Sequence, residues 1–221
     1  RIRLLHARLR GDEGDNRCGK ERVMKFASAV RWLAGGVLIA LLAAGPVLAG
    51  DPVPSLHPLH EGREAVALAE FEGRWVCSES TSILLEISKA TDGYTLQLVG
   101  LDDNHSIWFD VHLVRLGSAV FADIQQRSGD DLFLLSPHVF ARIRVNEDEL
   151  RFEFLEDNYV RKALENGRTD LAHEWMGSTL GLTAPTDELQ DFVESCACDD
   201  EAFDEYVNFT RMKEQPKDSN S

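Results

Sequence analysis

Positive charge is in short supply: 23 of the 221 residues are Lys or Arg, against 38 Asp or Glu, a formal net charge of −15. A field of that sign repels nucleic acid and anionic membrane surfaces, so neither is an expected partner, and solubility is the plainest use of the charge. The motifs that announce common chemistry are missing too. There is no Walker loop, no Gly-rich dinucleotide loop, no His-Glu-x-x-His and no Gly-x-Ser-x-Gly. No cofactor is therefore indicated, and no catalytic residue stands out. Cysteine is sparse, at four residues, and long apolar runs are limited to one.

That run, residues 33–49 (LAGGVLIALLAAGPVLA), carries no charge, follows Met24, Lys25 and Arg31, and ends in Val47-Leu48-Ala49. A basic start, an apolar middle and a small-residue end are the layout of a secretory signal peptide. Pro46 breaks the helix just before the small residues and leaves them extended for a peptidase. The alternative, an uncleaved membrane span, needs ~20 apolar residues and is weakened by Gly35, Gly36 and Gly45. No Cys follows the run to carry a lipid. We expect cleavage between Ala49 and Gly50, a periplasmic or secreted bacterial protein, and membrane contact through the signal segment alone, before cleavage.

The chain then divides as follows: residues 1–23, a misplaced start or a disordered extension; 24–49, the signal peptide; 50–69, an arm containing Pro and His; 70–215, one β-rich domain; 216–221, a disordered tail. The period within the domain is two. Ile83, Leu85 and Ile87 alternate with polar residues, as do Tyr94, Leu96 and Leu98, then Ile107, Phe109, Val111 and Leu113. Val139, Ala141, Ile143 and Val145 follow, then Leu150, Phe152 and Phe154. Each set turns one apolar face inward, the mark of antiparallel strands around one core. Helical spacing appears later. Asp157 or Asn158 is positioned to cap a helix bearing Tyr159, Val160, Ala163 and Leu164, Thr186 to cap one bearing Leu189, Phe192 and Val193, and a third short helix is expected to hold Ala202, Phe203 and Tyr206. Residues 178–183 and 207–212 read as further strands. The expected fold is mainly β with C-terminal helices, an antiparallel meander closing into a barrel, with a sandwich or an open sheet covered by helices as the alternative.

Several residues invite a chemical reading. Cys77, Cys196 and Cys198 remain after the signal, and in an oxidising compartment Cys77 is expected to pair with Cys196 or Cys198. His57 and His60, with Glu61 beside them, have a spacing that can bind a divalent metal, although histidines in an irregular arm usually bind nothing. Asp110 and His112 share one face of a strand, where a carboxylate can orient an imidazole; a solvated pair is the simpler account, since no nucleophile elbow accompanies them. Ser136-Pro137-His138 reads as a turn entering a strand. The acidic run from Asp199 to Glu205 lacks a calcium loop's Gly and alternating oxygens and reads as the first turn of a helix. Asn104-His105-Ser106 and Asn208-Phe209-Thr210 match glycosylation acceptors, matches that arise often by chance.

Gly73-Arg74-Trp75, heading the first strand of the domain, resembles the Gly-x-Trp motif that opens the barrel of lipocalins and their calycin relatives. The resemblance implies that Trp75 closes the barrel floor beside Gly73, that Arg211 packs across its ring, and that the barrel can hold a small apolar or amphipathic ligand. A Thr-Asp-Tyr motif is absent, and about 60 residues of mixed elements replace the single late helix of that family. The stretch from His112-Leu113-Val114-Arg115 through Pro137-His138-Val139-Phe140 to Leu182-Thr183-Ala184 also resembles exported bacterial proteins, a likeness that carries no function. The leading expectation is an envelope binding module for such a ligand or for a protein partner. A structural or protein-interaction protein with a solid core is the second, and an unrecognised hydrolase the third. The discriminators are an interior void of ~300 Å³ or more for the first, and, for the third, Asp110, His112 or the arm histidines converging with perturbed ionisation.

Overall fold

The computed structural model describes residues 52–101, 106–127, 136–204 and 206–213. The signal segment, Met24, the match at Asn104 and the tail from 216 lie outside them. Chain order begins with a short strand β1 (Pro54–Ser55), followed by β2 (Gly73–Cys77), β3 (Ile83–Ala90), β4 (Gly93–Gly100), β5 (Ser106–Leu116), β6 (Ala119–Gln126), β7 (His138–Val145) and β8 (Glu149–Phe154). Helix α1 (Asp157–Glu165), the hairpin β9 (His173–Met176) and β10 (Thr179–Leu182), helix α2 (Thr186–Ser195) and a 3-10 turn (Asp200–Phe203) come next, and β11 (Tyr206–Arg211) ends the series.

Strands β2 to β8 form an antiparallel meander. β11 returns to pair with both β8 and β2, while β6 pairs with β7, so eight strands close into a barrel. The sandwich and open-sheet alternatives are thereby excluded. Closure removes the sheet edges that would otherwise need covering. The apolar residues of the two-residue period (Ile87, Leu96, Phe109, Val111, Ile143, Leu150, Phe152) all belong to the core inside this barrel.

The outer face of β5 to β8 is covered as well. Val114, Leu116, Phe121 and Phe140 point outward into a second apolar cluster completed by Leu59 of the arm, Val160 of α1, Leu180 and Leu182 of β10, and Leu189 and Val193 of α2. β1 holds the arm in this layer: it pairs antiparallel with β7 and parallel with β10. Beyond the end of β4, the bridge between Ala65 and Val114 extends the cover along β5.

Four details differ from the sequence-based expectation. β6 and β9 were not anticipated, and Tyr206 sits in β11 rather than in a helix. Neither helix is capped by the residue expected: Glu156 and Pro185 hold the cap positions and give no side-chain cap bond. Asp157 and Thr186 lie inside the first turns, where tertiary partners take their side chains, Asp157 accepting from Arg161 Nε at 2.7 Å and Thr186 donating to the Pro58 carbonyl at 2.8 Å.

Candidate functional site

One end of the barrel is shut. Trp75 is fully buried, and its Nε1 donates to the Phe71 carbonyl at 3.3 Å. The guanidinium carbon of Arg211 lies 4.0 Å from the centroid of the Trp75 ring, a cation–π stack. Arg211 also donates to three backbone carbonyls, those of Glu147 (2.6 Å), Glu72 (2.8 Å) and Glu70 (2.5 Å). It therefore staples the β7–β8 turn and a second 3-10 turn, Ala69–Phe71 before β2, across the barrel floor. Gly73 makes room for it: φ is +136°, and a Cβ there would run into Arg211 Nη1.

The other end is hollow. Leu98, Phe109, Ile124, Val139, Phe154 and Val207 line it, with Pro52 and Pro137 beside its mouth. The hollow measures about 60 Å³. A closed cavity of ~150 Å³ houses a benzene. The hollow is thus a narrow slot that falls short of the ~300 Å³ of a roomy ligand chamber. Gln126 is the one polar residue among the described lining, and its Oε1 is buried without a hydrogen-bond partner. Leaving such an acceptor unpaired costs about 1–3 kcal/mol.

No protein family, no curated protein and no solved structure matches this chain.

A second polar constellation lies on the outer face of the wall, under the arm. Asp123 of β6 is 1 % exposed and accepts four hydrogen bonds: from the Leu59 and His60 amides (2.7 and 3.3 Å), from His60 Nδ1 (2.7 Å) and from His138 Nδ1 (2.7 Å). Burial alone would raise its pKa, but the bonds from His138 and His60 outweigh it and hold the carboxyl at about 2. An ionised carboxylate only accepts, so both Nδ1 atoms must carry the protons. His112 stacks on His60 with ring centroids 3.9 Å apart and planes 10° from parallel. Its pKa is lowered, first by burial and then by the neighbouring His60. Gln190 of α2 grips the same piece of arm, donating to the carbonyls of Leu59 (2.8 Å) and Glu61 (2.9 Å) while accepting from Arg63 Nε. Asp123 and Gln190 together form a latch that fixes the arm, and so Pro52, beside the mouth of the hollow.

The sequence candidates scatter around this latch. His60, His112 and His138 converge; His57 stays exposed, its backbone tied to Ser55 Oγ. Asp110 pairs with Arg127, its Oδ1 2.6 Å from Nη2. Among the described residues no group of three or more His, Cys, Asp or Glu is arranged to hold a metal ion. Asp199 caps the 3-10 turn by accepting from the Glu201 amide, and Asn208 accepts from Arg151 Nε. The residues that sequence reasoning passed over are Asp123, Gln126 and Gln190.

The structure holds no disulfide from Cys77 to Cys196 or Cys198. Cys77, Cys196 and Cys198 are all free thiols. Cys77 packs in the barrel interior and Cys196 in the outer cluster, on opposite sides of the β wall. Burial raises the pKa of Cys77 and pushes that of Cys196 up to about 12, so both remain protonated.

Proposed function

We propose that this chain is an exported binding module of a bacterial envelope, of lipocalin-like build, that takes the slender apolar end of a small amphipathic ligand into the open end of its barrel. The observation that carries the reading is the apolar slot at the end of the barrel opposite Trp75. A barrel kept only for its solid core has no reason to leave its apolar interior open at one end. The narrowness of the slot suits one extended chain, because the centre of a sphere can move little in a channel scarcely wider than itself. Export rests on the basic start, charge-free run and small-residue end of residues 24–49. Nucleic acid and anionic membrane surfaces are disfavoured as partners by the acidic charge.

Two measurements test this. Intact mass of the protein recovered from the envelope is expected to begin at Gly50; a stable membrane-bound species retaining residues 33–49 overturns export with release. Titration with octan-1-ol, followed by methyl NMR, is expected to shift Leu98, Ile124, Val139 and Val207 and to leave Leu180 and Val193 of the outer cluster in place. No shift at millimolar octan-1-ol removes the ligand and leaves the second reading, a solid-core interaction protein, which the small enclosed volume favours.

A further inference from the structure

We propose that strand β9 is a docking edge for an extended, basic segment of another protein, which adds to the sheet as a further strand. The proposal is independent of the barrel slot. Among the described residues β9 is the one strand with a single neighbour: it pairs with β10 alone, whereas barrel closure and the arm give every other strand at least two. The alternation of the ladder fixes which groups are free. The Thr183 amide donates to the Ala172 carbonyl at 2.8 Å, and the register then pairs Leu182 with His173, Gly181 with Glu174 and Leu180 with Trp175. Glu174 therefore bonds to β10, while His173 and Trp175 turn their N–H and C=O groups to the open side. No described residue bonds to them there.

Proteins blunt such edges with Lys, Pro or a bulge. The sequence of β9, His-Glu-Trp-Met, has neither Lys nor Pro, its register with β10 is unbroken, and it exposes Trp175 (52 %) and Met176 (48 %) side by side. Its four residues suit a short, reversible addition. Charge chooses the occupant. Glu174 is exposed and makes no ion pair with a described residue, and its neighbour on β10 is Gly181, which has no side chain to offer. A second copy of this chain is the wrong occupant: the antiparallel register that uses both free residues sets Glu174 against Glu174, and each copy carries a net charge of −15. A Lys or Arg opposite Glu174 and an apolar residue on the Trp175 face are what the edge accepts. The guanidinium of Arg161, 4.4 Å from the Trp175 ring centroid, braces the indole to receive that residue.

NMR titration of the full chain with acetyl-(Val-Lys)3-amide and with acetyl-(Val-Glu)3-amide tests the proposal, at about 0.15 M salt, where the screening length is ~8 Å. The lysine peptide is expected to shift the amides of residues 173–176 and to slow exchange at His173 and Trp175, both fast in the free protein. The glutamate peptide is expected to bind about fivefold more weakly, and Glu174→Lys or Glu174→Gln to remove that preference. N-methylation of one alternate set of the lysine peptide's amides, either its valines or its lysines, is expected to abolish binding with the charge unchanged. Slow exchange at His173 and Trp175 in the free chain would mean that a segment of this chain outside the described residues covers the edge, and concentration-dependent shifts there without peptide that a second copy does. Either overturns the proposal. So do an absence of binding at millimolar lysine peptide, shifts lying away from residues 173–176, a preference unmoved by both Glu174 substitutions, or binding undiminished in both methylated forms.

Discussion

The two faces of the same barrel wall solve burial in different ways. Inside, described side chains from every strand of the ring meet in an apolar core, with Gln126 the one unpaired polar group in the hollow. Outside, an apolar cluster of similar extent is threaded with buried ions: Asp123 under the arm, and Arg142 with Glu153 farther along, their Nε and Oε2 2.5 Å apart. Arg142 also donates to the Ala197 carbonyl and to Asp200, so it ties the 3-10 turn to the wall as Asp123 ties the arm. An apolar interior has no preferred register beyond shape, whereas a charge placed under a loop accepts or donates in one geometry only. The barrel is thus held by burial, and the layer around it is positioned by ionic latches.

The largest expected effect belongs to the interior. Trp75→Ala leaves a void at the barrel floor and should cost about 3–5 kcal/mol in a denaturant melt. All barrel strands should lose protection together, since they share one core.

Asp123→Ala should cost about 2–4 kcal/mol, because it strands four donors. The loss should be local. Hydrogen exchange is expected to rise at the amides of Val53, Leu56 and Val66, which bond to Leu155, Leu182 and Leu113, while β3 and β4 stay protected. If β3 and β4 are released in the same step, the two faces are one cooperative unit and the contrast drawn between them is wrong.

Acid should dissect the same difference without mutation. The folded pKa of Asp123 is depressed from 3.8 to about 2, so its stabilisation is present above pH 4 and is lost as pH falls towards 2, about 2 kcal/mol in all. His112 is depressed below 6.5 as well. For a histidine this means that the folded state disfavours the charged form, so stability begins to fall as pH drops below 6.5. Melting of the arm layer between pH 6.5 and 2, ahead of the barrel, is the expected order; in Asp123→Ala the loss between pH 4 and 2 should vanish.

Smaller still is Arg211→Ala, at about 1–2 kcal/mol, since the carbonyls it leaves can turn to water. With Trp75→Ala it should show a coupling of at least ~0.5 kcal/mol in a double-mutant cycle, because the stacked contact is shared. The smallest expected effect is that of reductant. With Cys77, Cys196 and Cys198 free, dithiothreitol should leave the melting temperature unchanged. A thiol reagent should label exposed Cys198 quickly and the other two on unfolding.

The barrel was legible in the sequence because its inner face obeys a local rule: one apolar residue in every two, strand after strand. β6 escaped that rule. In Ala119–Gln126 the outward Phe121 is as apolar as its inward neighbours, and the alternation disappears where both faces are covered. The same feature could have flagged the outer layer, since Phe121 and Phe140 are both outward and apolar. The cysteines show the same limit: compartment argues for a bond at Cys77, but only the tertiary structure shows that Cys77 and Cys196 sit on opposite sides of the wall.

What the sequence determined by itself was the strand periodicity, the acidic field, the candidate signal segment and the tripeptide at the barrel floor, all properties of neighbours in the chain. Tertiary structure alone decided that His60, His112 and His138, separated by 52 and 26 positions, would meet at Asp123, and that Gln126 would face an apolar slot with its oxygen unpaired. A local pattern fixes which face of a strand is buried. It holds no information about which distant residues arrive on that face, because that depends on how β5, β6, β7 and the arm are laid side by side when the barrel closes.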